Sequence, residues 1–222
     1  MPKLIVEETP LNEELLHRKV AVATLRGRPY YNITCALRQM ELQFDSLSPE
    51  QAAQSNAKLI ITTRDEADMI NRKGAVMLDT ELDKYHAIVK AKIMRNIMGE
   101  RADDQLTIGI DPGSRIGISA IYLHQEIASA VESSPKDAID HVSAMLGGIE
   151  SRKKVVKIGD GNILMARQIA HTLKMKFRDK VDVEIVDERG TSQNAEANRR
   201  GARDRLSART IAFRSGESFI LQ

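Results

Sequence analysis

Thr107-Ile108-Gly109-Ile110-Asp111-Pro112-Gly113-Ser114-Arg115-Ile116-Gly117-Ile118-Ser119 is the stretch that decides the fold. Two runs of isoleucine alternating with small residues flank a Pro-Gly-Ser turn, so the segment reads as a β-hairpin presenting one carboxylate, Asp111. An Asp at a turn is ordinarily turn chemistry. Its significance depends on what the rest of the chain brings to the same sheet.

Working outward, residues 106–111, 116–123 and 126–131 read as three strands joined by short turns, hence antiparallel neighbours. A helix follows, with Pro135 at its start and Ile139, Val142, Leu146 and Ile149 as its apolar face. Residues 154–159 form a strand, 164–177 an amphipathic helix, 181–187 a fifth strand and 195–213 a final helix. The order is βββαβαβα. Upstream, 20–25, 58–63 and 75–78 read as short buried strands with helical patterns among them, a small α/β unit over residues 1–79. Leu82, Tyr85, Val89, Ile93 and Ile97 recur at helical spacing over 80–98, with Gly99 as a stop, and predict a linking helix over 80–100. The polar stretch 100–104 marks the boundary to a second domain over 101–222. The fold class is α/β throughout.

Three strand ends in this second domain carry acids: Asp111, Asp160 in Ile158-Gly159-Asp160-Gly161-Asn162, and Asp187-Glu188. Open α/β sheets bind ligands outside the carboxyl ends of their strands. Asp204 adds a fourth acid if the last helix packs across the sheet with that face inward, a reading helped by Ala208 and Ile211 four and seven residues on. Clustered carboxylates repel one another and call for cations, and Mg²⁺ or Mn²⁺ suits all-oxygen ligands. Two such ions about 4 Å apart serve the in-line displacement of a phosphodiester. Each acid also has a plainer reading: Asp111 opens a turn, Asp160 caps the helix beginning near Asn162, and Asp204 pairs with Arg200 or Arg203 on a solvated helix. Periodicity puts Asp187 on the face of Val183 and Ile185 and leaves the choice between Asp187 and Glu188 open.

The Ile-Gly-Ile-Asp-Pro-Gly opening, the βββαβαβα order, Asp187-Glu188-Arg189 after the fifth strand and an Asp in the last helix resemble the RNase H-like fold, in particular the RuvC resolvase and YqgF superfamily, over about residues 105–215. The resemblance implies a structure-specific nuclease, with Asp111, Glu188 and Asp204 as ligands of Mg²⁺ or Mn²⁺; the nuclease reading adds Asp160 as an assisting catalytic residue, as open to metal ligation as to capping a helix. It implies nucleic acid as the partner, branched DNA such as a four-way junction ahead of RNA, and a homodimer. The chain departs from the RuvC pattern at the fourth strand, where Asp160-Gly161 stands in place of Glu. In the last helix, Gly201 and Ser207 occupy the positions three before and three after Asp204. The YqgF side of the superfamily is the closer match.

Charge adds a local feature. Residues 1–100 hold 14 basic and 14 acidic side chains, which leaves 19 and 17 for the remainder and a net charge of +2. Within that remainder Arg189, Arg199, Arg200, Arg203, Arg205, Arg209 and Arg214 face only Glu196 and Asp204. Arginine matches phosphate bidentately, so Arg115, Arg189, Arg199, Arg200, Arg203 and Arg205 are candidate nucleic-acid contacts, against the plainer reading of a solvated helix face. Arg26-Gly27-Arg28-Pro29-Tyr30-Tyr31 reads as a loop before a helix that also offers a backbone contact. The five histidines lack ligand spacing, and the lone Cys35 argues against redox chemistry. No apolar run reaches the roughly 20 residues of a membrane span, and the acidic N-terminus is unlike a signal sequence, so a cytoplasmic protein is expected. Two alternatives stand beside the nuclease. One is an inactive RNase H-like protein that binds nucleic acid or a partner. The other is a nucleotide-binding protein of the actin and sugar-kinase type, whose phosphate loop also begins with an Asp-x-Gly hairpin.

Overall fold

In the computed structural model every residue of strand β1 (Val20–Ala23) is buried, as expected of a strand covered on both faces. The structure describes residues 19–71, 75–82, 85–99, 103–188 and 200–221, and contacts divide the chain into two units, 1–99 and 100–222. The first unit runs β1, α1 (Gly27–Gln39), β2 (Asp45–Leu47), α2 (Pro49–Gln54), β3 (Leu59–Thr62), α3 (Arg64–Ala67), β4 (Ala75–Leu78) and α4 (His86–Met98). Its sheet is parallel in the order β2-β1-β3-β4. Strand alternation separates two cores. Val20, Val22, Leu59, Ile61 and Met77 meet Ile33 and Leu37 of α1 and Val89, Ile93 and Ile97 of α4, whereas Ala21, Ala23 and Ile60 meet Ala52 and Ile70.

Two local readings change here. The helix expected from residue 80 begins at His86, because Asp79–Glu81 forms a 3₁₀ turn in which Glu81 Oε1 accepts the Leu78 N–H at 3.1 Å. Tyr85 is then an exposed cap and not a core residue. The Arg26 to Tyr31 segment is the first turns of α1 and no loop, with Arg26 paired to Asp65 at 2.5 Å and the Tyr30 hydroxyl bonded to Ser46 at 2.8 Å. Strand β2 escapes the sequence reading because Asp45-Ser46-Leu47 has no apolar alternation.

The second unit runs β5 (Gln105–Pro112), β6 (Ile116–Tyr122), β7 (Gln125–Glu132), α5 (Pro135–Gly148), β8 (Lys153–Gly159), α6 (Ile163–Phe177), β9 (Asp182–Val186), α7 (Arg200–Phe213) and β10 (Glu217–Ser218). The sheet is mixed, in the order β10-β9-β8-β5-β6-β7: β5 is antiparallel to β6, β6 to β7 and β10 to β9, while β8 is parallel to both β5 and β9. The expected strands and helices are present in the expected order, followed by the unforeseen short edge strand β10. Residues 195–199 of the expected last helix lie outside the described residues.

Two lysines of β8 show how helices are distributed over this sheet. Lys154 and Lys157 stand three residues apart and so point to opposite faces. Lys154 Nζ donates to the Leu146 carbonyl of α5 at 2.6 Å, and Lys157 Nζ donates to the Arg214 carbonyl just past α7. Each lysine thus satisfies a carbonyl that its helix leaves open at the C-terminal end. Helix α5, and α6 packed beside it, cover the face of Ile108, Ile110, Val156 and Ile158, all buried; among the described residues α7 is the helix that crosses the other face, over β5 and β6. Among the described residues no helix is long and apolar enough to cross a membrane.

Candidate functional site

Gly109 and Gly117 determine how close α7 comes to the sheet. Asp111 pairs with Gly117 across β5 and β6, and Gly109 is two residues before Asp111, so all three share one face. A Cβ on Gly109 would lie 2.0 Å from the Ala208 carbonyl oxygen, and one on Gly117 would lie 2.1 Å from that of Asp204. Only glycine admits a helix backbone at this separation. The helix turns Ser207, Ala208, Ile211 and Ala212 to the sheet, all buried, and Asp204 comes down on the same side.

Asp204 therefore stands beside Asp111. Burial, reinforced by the Asp204 charge, pushes the Asp111 carboxyl up to about 6, against a hydrogen bond from Ser207 that favours the ionised form. Asp204 Oδ2 is itself buried and has no hydrogen-bond partner among the described residues; the nearest ion-pair contact is Arg115 Nε, from the β5–β6 turn, at 3.8 Å.

The third acid arrives from the end of β9. Asp187 and Glu188 both lie past the strand, and their side chains have different surroundings. Asp187 is exposed, and its carbonyl accepts from the Arg214 guanidinium at 2.8 Å. Glu188 folds back over the 159–161 turn. A Cβ on Gly159 would lie 1.8 Å from Glu188 Oε1, and one on Gly161 would lie 2.2 Å from Oε2. Burial pushes the Glu188 carboxyl up to about 7, with the Asp111 and Asp160 charges adding to the shift and a backbone hydrogen bond from Gly161 and the Arg214 charge opposing it. Asp160 is exposed, and its Oδ1 accepts the Glu188 backbone N–H at 3.0 Å.

The acids thus form a line in which Asp204 acts on Asp111, and Asp111 and Asp160 act on Glu188. Among the described residues no group of three or more His, Cys, Asp or Glu side chains converges into a ready metal-binding set. Their chemistry nevertheless fits a hard divalent cation. The donors are all carboxylate oxygens, one of them a buried oxygen without a hydrogen bond, and their mutual repulsion is what a cation relieves.

The arginines divide by location. Arg209 reaches Glu126 Oε2 at 3.9 Å, the same Glu126 whose Oε1 accepts from Ser119, and Arg214 holds Asp187, so these two tie the helix and its exit to the sheet. Arg203 and Arg205 are exposed on α7, and Arg115 is exposed beside Asp204. Arg200 begins α7; Arg189 and Arg199 lie outside the described residues. Sequence reasoning noted Ser207 only as a departure from the RuvC pattern and gave neither it nor the glycines of the site a role. Ser207 was legible as the position three after Asp204, on the same helix face. The sequence matches no family model, and no curated protein is similar enough to stand as a relative.

Proposed function

We propose that the second unit is an RNase H-like domain of the RuvC and YqgF kind and that the protein is a divalent-metal-dependent, structure-specific nuclease acting on nucleic acid, with branched DNA the favoured substrate. The observation that carries this reading is the line of carboxylates Asp204, Asp111 and Glu188, drawn from helix α7, the central strand β5 and the end of β9 two strands away to one end of the sheet. Burial, with repulsion among the acids adding to it, raises Asp111 to about 6 and Glu188 to about 7. Strand order supports it as well, with three antiparallel strands, two parallel ones beside the first, and a last helix lying across one face.

In this reading Asp111, Glu188 and Asp204 hold Mg²⁺ or Mn²⁺, which when bound supplies charge stabilisation for in-line displacement at phosphorus. The protein's own groups do the rest. Ser207 fixes one rotamer of the Asp111 carboxylate through its hydroxyl. Arg115, at the mouth of the site, and Arg203 and Arg205 on α7 offer guanidinium groups to backbone phosphates. With no Trp, four Phe and four Tyr in the chain, base stacking is a poor means of recognition here, which favours a duplex or branched backbone over a single strand.

The test is cleavage of labelled four-way junction, duplex DNA, single-stranded DNA and structured RNA with Mg²⁺ or Mn²⁺, comparing the parent with Asp111→Asn. Metal-dependent cleavage by the parent, abolished in the variant while binding persists, is the expected result. Tight, salt-sensitive binding with no cleavage by either protein would replace the enzyme with a binding protein built on the same fold.

A further inference from the structure

The Gly159-Asp160-Gly161 turn is bonded to the end of β9 and to Glu188 just past it, and its contacts converge on a single job. The Asp160 N–H donates to the Val186 carbonyl at 3.0 Å, which continues the β8–β9 register one step past the strands. Asp160 Oδ1 accepts the N–H of Glu188 at 3.0 Å, and the Gly161 N–H donates to the Glu188 carboxylate. The two glycines leave the space in which that carboxylate lies, since either Cβ would fall within 2.2 Å of one of its oxygens. Backbone, acceptor and empty space are all arranged around another residue's side chain.

We infer that Asp160 is a positioning residue and not a metal ligand: it clips the backbone of Glu188 so that the Glu188 carboxylate is seated over Gly159 and Gly161. This rests on the reading of Glu188 as a ligand and deepens it, reducing the set that holds the cation to Asp111, Glu188 and Asp204. The chemistry separates the two roles cleanly. A ligand must bring a negative oxygen, whereas a clip needs only an acceptor, and the amide oxygen of Asn accepts from an N–H as a carboxylate does. Groups that orient a metal-binding side chain typically change metal affinity ten- to a hundredfold when lost.

The full chain is assayed as parent, Asp160→Asn, Asp160→Ala and Gly161→Ala by two measurements. Metal-free amide exchange at the Glu188 N–H reads the clip, and calorimetric Mn²⁺ titration reads the site. In the expected result Asp160→Asn keeps amide protection and Mn²⁺ affinity close to the parent, and Asp160→Ala loses roughly tenfold in protection and ten- to a hundredfold in affinity. Gly161→Ala loses affinity with Asp160 intact, because its Cβ displaces the Glu188 carboxylate. Equal loss of Mn²⁺ affinity in Asp160→Asn and Asp160→Ala, with the Glu188 amide still protected in both, would make Asp160 a ligand and overturn the inference. So would an unprotected Glu188 amide in the parent. If the amide pattern is as expected but the parent binds no Mn²⁺, the clip stands and the metal reading of the site falls.

Discussion

Replacing Asp111 with Asn should make the second unit more stable above neutral pH, although it removes a residue at the centre of the site. A carboxyl that titrates near 6 in the folded chain against an ordinary value of 3.8 is ionised at a penalty of about 3 kcal/mol. Asp111 is incompletely buried, which brings the realistic figure to about 2 kcal/mol. Asn keeps the shape and the acceptor for Ser207 and removes the charge that Asp204 opposes. The pH dependence follows from the direction of the shift. Because the folded pKa is raised, the folded state binds more protons than the unfolded chain between about pH 4 and 6, so the parent loses stability as pH rises through that window. Below about pH 4 the acid is protonated in both states and the advantage of Asn disappears. Calorimetric melting of the full chain at pH 8 should show the transition of residues 100–222 about 8 °C higher in the variant, and near coincidence at pH 4. An unchanged or lower midpoint at pH 8, or a gain as large at pH 4, would refute the claim that charge repulsion and burial strain this carboxylate.

Other consequences are as direct. Gly109→Ala and Gly117→Ala should each destabilise the unit by on the order of 3 kcal/mol in urea titrations, since a Cβ 2.0 or 2.1 Å from a helix carbonyl must push α7 off the sheet. Gly147→Ala, within α5 and with nothing within 4 Å of the added carbon, should be neutral or stabilise by up to about 1 kcal/mol. Mn²⁺ affinity should rise from pH 6 to 8 with net proton release, because Asp111 and Glu188 hold protons up to about 6 and about 7; calorimetry in buffers of different ionisation enthalpy would detect it, and a pH-independent affinity would contradict it. Arg203→Ala and Arg205→Ala should weaken junction binding across sequences and lower its salt dependence by about one ion each, with no change in melting temperature.

Most of the second unit was legible because its elements obey local rules. Alternation between β-branched and small residues marked β5 and β6, Pro135 marked the start of α5, and helical spacing marked α6. In the first unit the Arg26 to Tyr31 segment was misread as a loop because its Gly and Pro mark turns in most settings, yet here they begin α1, where Pro29 needs no intrahelical N–H bond. The edge strand β10, Glu217-Ser218, has no apolar alternation to announce it; its pairing with β9 comes from tertiary packing alone.

The candidate site was legible as a set of acids and illegible as a set of contacts, for a physical reason. Asp111 could be named from the hairpin that carries it, but its environment is created by Gly109 and Gly117, whose importance lies in atoms they do not have. The same holds for Glu188 and the glycines at 159 and 161. Sequence periodicity put Asp187 on the face of Val183 and Ile185, and the register makes that the α5 and α6 face of Val156 and Ile108, whereas Glu184 and Val186 alternate onto the face of Lys157, Gly109 and Asp111, the face that Glu188 continues; strand pairing sets which face is which, and β9 alone does not reveal it. Burying like charges side by side destabilises a fold. This chain does so with Gly109 and Gly117 admitting the α7 backbone that carries Asp204, and with Gly159 and Gly161 leaving the space in which the Glu188 carboxylate lies; a cation held among the carboxylates, as proposed, would relieve the repulsion that this packing creates.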